Sequence, residues 1–69
     1  MQVYLKFNSS KIYKKAASVL TIVSKDDTEK SIIIDVYDYW HAGQIINALS
    51  DSITKYCIIP NSEGNMVIV

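Results

Sequence analysis

Residues 38–56 carry the only sustained helical period in the chain, and no other stretch limits the possible folds as much. On a wheel of 3.6 residues per turn, Tyr39, Ala42, Ile45, Ile46, Leu49, Ile53 and Tyr56 share one face. Gln44, Asn47, Asp51 and Lys55 fall on the opposite one. Asp38 reads as the N-cap, because its carboxylate can accept from N–H groups that no earlier turn satisfies. The spacing predicts one long amphipathic α-helix, and the segments around it read as short strands for that helix to cover.

Residues 2–7 alternate, with Val3, Leu5 and Phe7 on one side and Gln2, Tyr4 and Lys6 on the other, the pattern of a half-buried strand. Asn8-Ser9-Ser10 ends it and offers a helix cap. Residues 10–17 read as one or two helical turns, with a strand extension through Ile12-Tyr13 as the alternative. Residues 19–24 carry apolar side chains on both faces, which predicts a central strand. A polar turn over 25–30 leads into a return strand over 31–37, where Ile32, Ile33 and Ile34 favour β structure. After the long helix, residues 57–59 read as a short strand stopped by Pro60. A turn over 61–65 and a last strand over 66–69 follow. The expected fold is α+β: three to five short antiparallel strands packed against one long helix, in the order β-(short α or loop)-β-β-α-β-β. If residues 10–17 are helical, that order becomes the split β-α-β pattern called ferredoxin-like, which carries no function with it.

At 69 residues the chain is expected to be a single domain, 1–69. Cores this small seldom supply more than about 3–5 kcal/mol without a staple or a partner. The lone Cys57 cannot form an internal disulfide, and no Cys/His cluster offers a zinc site. Compensation must come from a dense core, for which eleven isoleucines are suited, or from association. No apolar run approaches the ~20 residues of a membrane span, and no secretory signal precedes the first strand, so the expected setting is a reducing cytoplasm.

Seven lysines balance seven acids, and arginine is absent. That absence counts against base-specific reading of nucleic acid, because the guanidinium fork supplies most bidentate contacts. The charge is uneven: residues 1–30 hold six lysines and three acids, residues 31–69 one lysine and four acids. A two-signed molecule suits a protein partner better than a phosphate backbone.

His41, three residues after Asp38, is the one candidate for acid–base or metal chemistry, but sites need several converging groups, and its ordinary reading is a solvated first-turn histidine. Cys57 reads as a small buried hydrophobe, with His41 about four helical turns away at ~1.5 Å per residue. Gly43 inside the helix suggests a late helix start or a close backbone neighbour, since glycine costs about 0.8–1 kcal/mol there relative to alanine. No glycine-rich phosphate loop is present. No catalytic residues, no metal and no cofactor are expected, and the chain is expected not to be an enzyme. One helix on one small sheet should also leave little room for a ligand pocket of ~300 Å³ or more.

Trp40 is the most informative residue. It falls opposite the apolar face, beside Gln44, Asn47 and Asp51, with Tyr37 and Tyr39 near it in sequence. An exposed tryptophan of this kind anchors protein interfaces. A helix starting at His41 or later would instead turn Trp40 back onto the core.

The expected role is a non-enzymatic interaction module that binds a larger protein through Tyr37, Tyr39, Trp40, Gln44, Asn47 and Asp51. In type, though through no matching residues, a short arginine-free chain without catalytic motifs resembles the phage accessory proteins that block host enzymes or defence nucleases, anti-CRISPR proteins among them. The resemblance implies an inhibitor, and the lysine- and isoleucine-rich composition fits an AT-rich genome. The alternative is a nucleic-acid-binding module using Tyr4, Lys6, Lys11, Tyr13, Lys14 and Lys15, where aromatics among cations would stack bases and neutralise phosphates. Either role is compatible with a homodimer formed through an edge strand, residues 66–69 being the candidate edge, or through the uncovered sheet face.

Overall fold

The structure, a computed structural model, describes residues 1–59. The turn expected at 61–65 and the strand expected at 66–69 lie outside these residues. The elements are β1 (Gln2–Phe7), α1 (Ser10–Val19), β2 (Ile22–Asp26), β3 (Ser31–Asp35), α2 (Tyr39–Ala48), a 3₁₀ turn (Ser50–Ser52) and β4 (Ile53–Ile59). The four strands form one antiparallel sheet in the order β2-β3-β1-β4. The fold is therefore a small α+β layer pair with the split β-α-β connectivity.

β1 is the hub. Its alternation sends Val3, Leu5 and Phe7 to one face, each at most 1% exposed, where Ile32 and Ile34 of β3 join them. Tyr13 and Ala16 from α1 and Ala42 from α2 close this core, so both helices cover the same face of the sheet. Tyr4 and Ile33, paired in register, lie half-buried on the opposite face.

Ser9 caps α1, its hydroxyl accepting from the Ile12 N–H at 3.3 Å. The β2–β3 turn is held by Asp26, whose carboxylate accepts from the N–H groups of Thr28 (3.0 Å) and Glu29 (3.2 Å). The turn closes on Lys30 at φ 56°, a left-handed conformation that costs an L side chain about 1–2 kcal/mol.

Three expectations are corrected. The long helix expected over 38–56 is only ten residues, Tyr39–Ala48, and is no longer than α1, which fills the segment expected to hold one or two helical turns. α2 stops at Ala48, and the chain tightens into the 3₁₀ turn, where the Ser52 N–H donates to the Leu49 carbonyl at 2.9 Å and the Ser52 carbonyl accepts from the Asn8 N–H at 2.9 Å. The β-favouring run from Ile53 then pairs with β1 across its whole length. Ile53 and Tyr56, assigned by periodicity to the helix, thus lie in a strand. The segment at 19–24 is not central. β2 starts at Ile22 on the sheet edge, Val19 ends α1 at 69% exposure, and Val23 sits exposed at a bulge opposite β3. Cys57 is exposed on β4 rather than buried.

Candidate protein-binding face

α2 starts where its sequence allows the first turn to be satisfied. The Asp38 carboxylate accepts from the His41 N–H at 2.9 Å. The His41 side chain reaches back past the cap, its Nδ1 accepting from the Tyr37 N–H at 3.0 Å. The arrangement resembles a capping box but is displaced by one residue, because the histidine reaches the N–H of the residue before the N-cap, not that of the cap itself. The rings of Tyr37 and His41 also pack with centroids 5.4 Å apart. His41 therefore has a structural partner on each side, and the Asp-x-x-His spacing was a sequence signal for it. Among the described residues, no three His, Cys, Asp or Glu side chains stand close enough to hold a metal ion.

With its start fixed at Tyr39, α2 turns Ala42 inward and Trp40 outward. Trp40 is 74% exposed, and Tyr37 and Tyr39 are exposed beside it. Tyr39, Trp40, Gly43, Gln44, Asn47 and Ala48 line an open groove of about 540 Å³. Of the six residues expected on this face, four share the groove. Tyr37 stands before the cap, and Asp51 lies in the 3₁₀ turn, both exposed. Gly43 has neither of its expected explanations: the helix starts four residues earlier, and a Cβ built on it would meet nothing within 4 Å. Among the described residues, nothing requires glycine at this position of the groove.

The alternative set does not come together. Tyr4 and Lys6 lie on the sheet face away from the helices, and the Lys6 ammonium donates to Glu29 at 2.7 Å, which raises its pKa. Lys11, Lys14 and Lys15 are exposed on α1, on the other side of the sheet. Tyr13 is buried, its ring tilted against Phe7 with centroids 6.3 Å apart and its hydroxyl donating to the Asp27 carboxylate. That hydrogen bond, and then burial, push the phenol up to about 12. No base can stack on a ring so placed.

No helix among the described residues is long and apolar enough to cross a membrane. The surface has more recesses than one helix on a sheet was expected to leave: open clefts of several hundred cubic ångströms lie between α1 and the β2–β3 turn, beside the start of β1 and Tyr37–His41, and along the outer face of α2. The chain matches no protein family, no curated protein and no solved structure.

Proposed function

We propose that this chain is a small, non-enzymatic protein-interaction module that binds a larger protein through the outer face of α2. The observation that carries this reading is Trp40, held in water on a helix whose start is fixed by the Asp38–His41 cap. Burial of a tryptophan in a partner's pocket is among the largest single contributions an interface residue makes. Gln44 and Asn47 supply hydrogen-bonding groups at the groove's sides, and Gly43 leaves its floor open to a partner's backbone. An inhibitor of a host enzyme or defence nuclease, of the phage or mobile-element type and acting in the cytoplasm, is the role we assign to such a module.

Trp40 is the only tryptophan, so its fluorescence reports on this face alone. The free protein is expected to emit at long wavelength and to be quenched readily by acrylamide. A bound partner should shift the emission to shorter wavelength and protect it. Trp40→Ala is expected to fold normally and to lose the partner, in binding that is nearly insensitive to salt. A blue-shifted, protected signal from free monomer would sink the reading. Protection that disappears on dilution, followed by sedimentation equilibrium, would make the face a homodimer contact.

A further inference from the structure

We propose that the cleft between α1 and the β2–β3 turn binds a small phosphorylated molecule, with Lys14, Lys25 and Lys30 holding its phosphate oxygens. The three lysines come from separate places in the chain: Lys14 from the middle of α1, Lys25 from β2 and Lys30 from the turn that follows it. The fold brings them around one recess of about 460 Å³, a volume within the usual range for small-ligand sites. Among the described residues the one ion pair is Lys6–Glu29, so these three ammonium groups have no carboxylate partner there. The single anion of the lining, Asp27, accepts the Tyr13 hydroxyl and is thereby held at the wall. Three cations and one anion leave a surplus of two positive charges, close to the charge of about −1.5 to −2 on a phosphate monoester.

Lys30 strengthens the case independently. It occupies the left-handed position of the turn, where glycine or asparagine fits with less strain. A lysine there gives up local stability, and it lines the cleft. The ligand is a compact one. Lysine acts on phosphate as a point charge without the planar fork of arginine. No aromatic face is presented, because the Tyr13 ring is packed against Phe7, so the cleft has no platform on which single-stranded nucleic acid could stack. The site shares no lining residue with the groove on α2 and stands or falls separately from it.

The test is a titration of the full-length, ¹⁵N-labelled chain with inorganic pyrophosphate at constant ionic strength, followed by amide shifts. Saturable shifts are expected at Ser10, Lys14, Lys25, Asp27 and Lys30. Lys14→Gln and Lys30→Gly should each weaken binding about tenfold, the scale of one charge-assisted hydrogen bond. Lys11→Gln and Lys15→Gln, which remove the same charge from α1 outside the cleft, should stay within about twofold. Lys30→Gly separates folding from binding, since it should melt no lower than the parent chain while losing the ligand. Shifts that never saturate, or equal losses from the Lys11 and Lys15 variants, would reduce the effect to general charge and overturn the site. An oligothymidylate that binds more tightly than pyrophosphate would overturn it in favour of nucleic acid.

Discussion

α1 and α2 are both ten residues long, both start on a side-chain cap and both cover the same face of the sheet, yet they place their large residues oppositely. α1 buries Tyr13 against Phe7 and gives lysines to solvent. α2 buries only Ala42 fully and gives Tyr39 and Trp40 to solvent. A helix shaped by folding alone puts its largest apolar surface inward, because that burial dominates its stabilisation. α1 follows that rule. α2 breaks it in its first turn, and that departure is the observation on which the proposed binding face rests.

The comparison breaks most readily at the residue under α1. Phe7→Ala removes a core ring that Tyr13 packs against and should cost about 3–5 kcal/mol, as much as a domain of this size has to lose. Far-UV circular dichroism should find the variant largely unfolded at 25 °C, and a cooperative native melt would show that α1 is not the anchoring helix. Tyr13→Phe keeps the ring and removes only the hydroxyl bonded to Asp27. The raised phenol supports the fold fully below pH 10.0 and loses that support as pH climbs through about 12. The parent chain should therefore lose melting temperature over that window and the variant less so. Lys6, also raised by its acidic partner, leaves both chains some alkaline sensitivity.

On α2 the expected effects on stability are smaller. Asp38→Ala removes the cap and should cost about 1 kcal/mol in urea unfolding. It should also loosen the His41 contact to the Tyr37 N–H, since the Asp38 carboxylate fixes the backbone of the turn that carries His41. Gly43→Ala should add about 0.8–1 kcal/mol, because the site is helical and open. If a partner's backbone enters the groove, the same change should weaken capture. Trp40→Ala should move stability by no more than about 0.5 kcal/mol while removing partner binding. A loss as large as that of Phe7→Ala would erase the contrast between the helices.

Much of this contrast was legible in local pattern. The alternation of β1, a helix cap within Asn8-Ser9-Ser10, the Asp38 cap and the turn after β2 follow from neighbours in sequence, whereas the side that Trp40 faces hung on where α2 starts. What local pattern missed was decided by distant partners. Ile53 and Tyr56 satisfy a helical period running on from Leu49 as well as they satisfy a strand, and only the free side of β1 decides between them. The edge position of β2 depends on β3 inserting beside β1, which its apolar composition does not report. The lysines expected to act together, Lys6 and Lys14 among them, were grouped by nearness in sequence. The fold separates these two and gathers Lys14 with Lys25 and Lys30.

The pairing of β1 with β4 has a mechanical consequence. The two strands run antiparallel with Gln2 opposite Ile59, so the first and last described strands meet at one end of their ladder. Tension applied across those two points opens the ladder as a zipper, one hydrogen-bonded pair at a time. It does not shear the whole row at once. Resistance to pulling is therefore low in this direction however well the core is packed, because the load reaches Val3, Leu5 and Phe7 one after another. Tethered through residues near Gln2 and Ile59, the molecule should yield from its hub strand outward, and both helices would lose their floor before either is pulled directly.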